Sequence, residues 1–201
     1  MKTSVAWAKD DPLGVEFVEA SVADTALSAV GVAVGSEPVP YRLDYVLETA
    51  ADFVTTRFLV TTRGEGWRRT LDLRRAADGE WSARTTADGG LAMPLPGVET
   101  PSLAGAVDVD LGLSPLTNTM PVLRGGLFDR AGSEDFLMAW VSVPDLTVTP
   151  APQRYTVLDP ARSGDRLVRF ESLDGDFTAE LTYDDHGFVL DYPGIAHRIT
   201  A

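Results

Sequence analysis

Cysteine is absent from the 201-residue chain. Disulfides, thiol nucleophiles and thiolate metal sites are therefore excluded. Histidine is scarce, with only His186 and His197 present. Little is left for a metal centre or for imidazole catalysis, so no metal, cofactor or catalytic residue is expected from this side. Positive charge is thin: 17 Lys and Arg face 30 Asp and Glu, for a formal net charge of -13. Such a surface repels a phosphate backbone and an anionic bilayer alike, so nucleic acid is not an expected partner. No run of about 18 apolar residues occurs, and no stable membrane insertion is expected. The stretch Met1 to Asp11 is charged and lacks the apolar segment of a signal peptide, which points to the cytoplasm. The Walker loop, G-x-G-x-x-G, G-x-S-x-G and H-E-x-x-H are all missing.

What is present reads as β-structure. The length and a hydrophobic content of 44% suit a single domain over residues 1–201 with a sizeable core. Tyr41, Leu43, Tyr45 and Leu47 alternate with Arg42, Asp44, Val46 and Glu48, the period-two pattern of a half-buried strand. Further strands are expected over 53–62, 67–75 and 80–86, broken by Gly64-Glu65-Gly66 and Asp78-Gly79, which suit tight turns. Later strands are expected over 136–143, 146–149, 154–158, 166–172, 177–184 and 188–192. The run Phe136 to Val143 is apolar but for Ser142, as in a strand covered on both faces. Residues 15–31 are ambiguous between helix and strand and read mainly as strands. The Pro- and Gly-rich stretch from Ser114 to Gly126 reads as a loop with a short helical turn. Leu71 to Trp81 and Ala179 to Val189 share a strand, acidic-Gly turn, aromatic-led strand pattern, which fits either an internal duplication or an ordinary β-meander.

Two sets of polar residues stand out. Asp108 and Asp110 alternate with Val107, Val109 and Leu111, so both carboxylates project from one face of a strand, about 7 Å apart. They read as a solvent-facing or loop-bonding pair, or as acceptors for sugar hydroxyls in a polar part of a cavity, or as a paired catalytic set. Arg57 lies in a strand with apolar residues on both faces, so partial burial is expected. It reads as a structural ion pair with Asp108, Asp110 or Asp191, or as a head-group anchor.

Asp108-Val109-Asp110-Leu111 followed by Ser114-Pro115-Leu116-Thr117-Asn118-Thr119-Met120-Pro121 resembles the signature of the putative glycolipid-binding family, a former domain of unknown function. Flanking pieces agree in order: Trp7, Gly14-Val15-Glu16, Tyr41, Thr56-Arg57, Asp78-Gly79-Glu80-Trp81, Gln153-Arg154-Tyr155, Asp191-Tyr192-Pro193-Gly194 and Arg198. Phe53, Ala106 and Leu116 depart from the pattern, where Trp, Cys and Phe are usual; each swap is apolar or small. The resemblance implies an all-β roll, a strongly curved antiparallel sheet or partly open barrel around a cavity, like that of bacterial lipoprotein carriers. It implies an amphipathic lipid or glycolipid as partner and no established catalytic residue. On that reading Trp67, Trp81, Phe136, Met138 and Trp140 are candidate apolar lining or plain core. Arg57, Asp108, Asp110, Asn118 and Tyr155 are candidate head-group contacts. Two other functions stay open: an interaction or structural module without a small ligand, and a lipid- or sugar-acting hydrolase using Asp108 or Asp110.

Overall fold

The computed structural model describes residues 1–90, 92–158 and 166–200. Fourteen strands form one large curved sheet. In chain order they are β1 (Lys2–Lys9), β2 (Gly14–Val22), β3 (Leu27–Gly35), β4 (Tyr41–Thr49), β5 (Thr55–Gly64), β6 (Trp67–Arg75) and β7 (Trp81–Gly89). Then follow β8 (Asp108–Leu111), β9 (Ser133–Val141), β10 (Val148–Val157), β11 (Arg166–Ser172), β12 (Thr178–Tyr183), β13 (Val189–Tyr192) and β14 (Ala196–Arg198). The spatial order is β7-β6-β5-β4-β3-β2-β1-β14-β13-β12-β11-β10-β9-β8, so the first and last strands of the chain pair at the middle of the sheet. Neighbours are antiparallel except β8 and β9, which run parallel. The sheet is not closed: β7 and β8 are its edges. A six-residue helix, α1 (Thr119–Arg124), lies between β8 and β9, preceded by a 3-10 turn at Pro115–Asn118. No helix among the described residues is long and apolar enough to cross a membrane.

Local sequence explains most elements. In β4 the tyrosines and leucines at 41, 43, 45 and 47 are buried while Arg42 and Glu48 are exposed, as the alternation requires. The β6–β7 turn places Gly79 at φ 92, a left-handed conformation that glycine adopts without strain, and Asp78 accepts the Glu80 N–H at 3.0 Å. Two sequence expectations shift. Residues 148–157 form one strand and not two, continuous across Pro150 and Pro152. Phe53 belongs to a 3-10 turn ahead of β5. The N-terminal strand β1, which carries little alternation of its own, is held by pairing with β2 and β14. The two segments with similar sequence patterns are both hairpins, but β6–β7 ends the sheet while β12–β13 lies within it, so the two are not equivalent in position.

Two apolar clusters pack against the sheet. The first is built from β1–β7 with Val109, Leu111, Ala139 and Val141. The second gathers Phe136, Met138, Tyr155, Phe170, Leu181, Tyr183 and Tyr192 with Val122 of α1. Strand β9 therefore sends alternate side chains into opposite clusters, which is why its run from Phe136 to Val141 is apolar on both faces. It forms a wall between the two.

A buried ion pair fastens that wall. Asp108 is fully buried, and Arg124 Nη2 donates to its Oδ1 at 2.5 Å. Thr55 of β5 adds its N–H and its hydroxyl at 3.3 and 3.4 Å. Arg124 also donates to the carbonyls of Asp52 and Phe53, at 2.8 and 2.9 Å. Those two residues have φ of 58 and 57, which non-glycine residues seldom adopt. One guanidinium thus joins α1, β8 and the turn before β5.

Replacing Arg124 with Met should strand the Asp108 carboxylate and cost about 3–5 kcal/mol in chemical unfolding. A loss below roughly 1 kcal/mol would show that the pair does not hold the wall.

Candidate functional site

A cleft of about 550 Å³ opens between the β8–α1 connection and the ends of β10, β11 and β13. Its floor is polar. Asp110 is half-buried there, with one oxygen taking the Thr117 hydroxyl at 2.8 Å and the other the Gln153 side-chain amide at 2.7 Å. Tyr155 is buried behind them, its hydroxyl 3.0 Å from Asn118 Oδ1 and 3.2 Å from Gln153 Oε1. Thr117 also accepts the Leu111 N–H, so the 3-10 turn and β8 fix each other. Ser114, also lining the cleft, donates at 2.6 Å to the wholly buried Glu16 of β2. Glu16 further accepts the Tyr45 hydroxyl at 2.7 Å, and Lys9 Nζ lies 3.5 Å from its other oxygen. The cleft floor is therefore wired to the interior of the first cluster.

The walls are apolar. Phe170, Phe177 and Tyr192 line one side as a triangle of rings, with centroids 5.9, 6.2 and 6.1 Å apart. Trp140 and Val143 supply the other side. Among the described residues, no Lys, Arg or His lines the cleft, while Asp110 and Asp174 do. Two other hollows, of about 400 and 730 Å³, lie along β2–β5 and β1–β4. Among their described lining residues the one buried side chain with a polar group is Tyr45, whose hydroxyl is taken by Glu16. Convergent polar groups within an apolar recess distinguish the first.

The residues singled out from sequence are dispersed. Asp110 and Asn118 line the cleft, and Tyr155 reaches it through Asn118 and Gln153. Asp108 shares a face with Asp110 but is occupied by Arg124 and Thr55. Trp81 is buried in the first cluster, where its Nε1 donates to the Ala106 carbonyl at 3.1 Å. Trp67 also belongs to the first cluster, and Phe136 and Met138 to the second, while Trp140 faces the cleft. Arg57 lies on the outer face of β5 and pairs with Asp72 at 3.0 Å, not with Asp108, Asp110 or Asp191. Glu16, Ser114, Thr117 and Gln153 entered the sequence reading only as residues of the motif and its flanking pieces, not as candidate contacts. Glu16 shares the buried face of Val18 and Ala20, a phase that the apolar Val15 and Phe17 on the opposite face obscured.

Burial pushes the Asp110 carboxyl above the usual carboxylate range, against the pull of the Gln153 and Thr117 hydrogen bonds. Burial likewise raises Asp108, opposed by Arg124 and Thr55. A carboxyl raised on folding keeps its proton where the unfolded chain has lost it. Stability then falls as pH rises from the unfolded value, about 3.9, through the folded one. Carbon-13 titration should find Asp110 above the usual Asp range, and Asp110→Asn should flatten that part of the stability profile. An ordinary or lowered Asp110 titration would contradict the burial argument.

A family model described as Putative glycolipid-binding matches residues 4–198. The crystal structure of a DUF1089 family protein from Pseudomonas aeruginosa superposes with a TM-score of 0.70 at 26% sequence identity, covering 92% of each chain. No curated protein matches the chain. With nearly its whole length matched, curved sheet and central motif included, the chain belongs to the putative glycolipid-binding family.

Proposed function

We propose that the cleft binds the head group and first methylenes of an amphipathic lipid or glycolipid, without catalysis. The observation that carries this reading is the meeting of Asp110, Gln153 and Asn118 with Trp140 and the Phe170–Phe177–Tyr192 triangle in one recess. An ionised carboxylate only accepts hydrogen bonds, and its two oxygens are each held by one protein donor, leaving lone pairs for ligand hydroxyls. The rings offer apolar faces to a sugar ring or an acyl chain, each buried methylene contributing about 0.8 kcal/mol. The family description agrees with such a ligand. A phosphate head group would meet Asp110 and Asp174 with no cation among the described lining residues to offset them. The hydrolase reading loses half of its carboxylate pair, because Asp108 is committed to Arg124.

Titration calorimetry with a short alkyl glucoside, kept below micelle formation, should show binding. An alkyl phosphate of equal chain length should bind more weakly. Asp110→Asn should weaken the glucoside by roughly tenfold, the loss of one charge-assisted hydrogen bond. Equal affinity for both head groups, or an unaffected Asp110→Asn, would refute the assignment.

A further inference from the structure

The two edges of the sheet are treated differently. Strand β8 is short and buried, and β5 covers it: Thr55 N–H approaches the Val107 carbonyl at 3.2 Å and Asp108 Oδ1 at 3.3 Å. Strand β7 is nine residues long, pairs with β6 without a bulge, and is exposed at every position from Arg84 to Gly89. It contains neither Lys nor Pro, and its two charges, Arg84 and Asp88, are of opposite sign. Its Trp81 end is held by Ala106, but no backbone bond beyond the β6 ladder involves residues 84–88 among those described.

The hydrogen-bond parity of this edge can be read from the turn. Ala76 N–H donates to the Glu80 carbonyl at 2.8 Å, which makes that pair a hydrogen-bonded one. Counting in twos, the pairs Arg74–Ser82, Asp72–Arg84, Thr70–Thr86 and Arg68–Asp88 are also hydrogen-bonded. The N–H and C=O groups of Ala83, Thr85 and Ala87 therefore point to the free edge. Arg84, Thr86 and Asp88 share one face of this stretch, and neither charged residue has an ion pair among the described residues.

We propose that β7 is the docking edge for a second copy of this chain, in a two-fold antiparallel contact centred on Thr86. That register sets Thr85 against the partner's Ala87, which joins outward-facing backbone groups to outward-facing ones. It sets Arg84 against the partner's Asp88, twice by symmetry. These fall in the non-hydrogen-bonded pairs, where side chains lie closest. The same charges act against competing registers. A two-fold at Arg84 opposes two guanidiniums, and one at Asp88 opposes two carboxylates. A two-fold at Thr85 leaves both charges without partners. The contact is isologous and closes on itself, extending the curved sheet from one copy into the next. It is independent of what the cleft binds.

Sedimentation velocity on the full chain, up to about 1 mM, should show a monomer–dimer equilibrium. Arg84→Asp, which sets acid against acid at both pairs, should weaken it by roughly tenfold. Arg84→Asp combined with Asp88→Arg should restore it. Both side chains are exposed, so circular dichroism should confirm that the variants fold. In hydrogen exchange, the Thr85 and Ala87 amides should become protected as concentration rises. A chain that stays monomeric throughout, or a dimer indifferent to the charge reversal, would overturn the proposal. So would Thr85 and Ala87 amides that exchange equally fast at every concentration.

Discussion

The Asp108–Arg124 pair is the constraint on which the rest of the architecture leans. A fourteen-stranded open sheet has no closure to fix its curvature, and its two edges could drift apart. Here one edge strand, β8, is fastened to β5 near the opposite end of the sheet through Asp108 and Thr55. Arg124 adds α1 and the left-handed turn at Asp52 and Phe53 to the same knot. Two ions out of water are expensive, and only dense hydrogen bonding makes such a pair tenable. That requirement is met by contributions from separate parts of the chain, so the knot forms only when the sheet has curled.

The cleft follows from that knot. Period-two geometry sends Val109 and Leu111 into the first cluster and leaves Asp108 and Asp110 on the other face of β8. Asp108 is consumed by the fastening. Asp110, one repeat further along, emerges where the wall ends, and Thr117 and Gln153 orient its carboxylate. The 3-10 turn at Pro115–Asn118 supplies both Thr117 and Asn118, so the segment that packs the two clusters together also furnishes the cleft floor. Binding surface and structural wall are one piece of chain, which makes the central motif dense in buried polar residues.

Much of this fold was legible where one face of a strand is wet. Strand β4 alternates cleanly and was readable residue by residue. Strand β2 was not, because Val15 and Phe17 are exposed while Glu16 is buried, inverting the usual pattern. Arg57 is half-buried and ion-paired as expected, but its partner is Asp72 and not Asp108, Asp110 or Asp191. The Gly64–Gly66 turn already contained the remedy. Pairing Gly64 with Trp67 sets Leu59 opposite Asp72, diagonal to Arg57. That Asp108 and Asp110 share a face was visible in their spacing. That one faces Arg124 and the other Gln153 was not, since both partners arrive through tertiary packing that no local pattern encodes.

The central claim is that the Asp110 cleft holds an amphiphile. Its most direct test is native mass spectrometry of the freshly purified chain, with solvent extraction of whatever travels with it, repeated on Asp110→Asn. The account predicts a discrete added mass that extracts as a lipid with an uncharged, hydroxyl-rich head group and is depleted in the variant. A retained lipid with a phosphate head group, or an adduct equally abundant in Asp110→Asn, would contradict it.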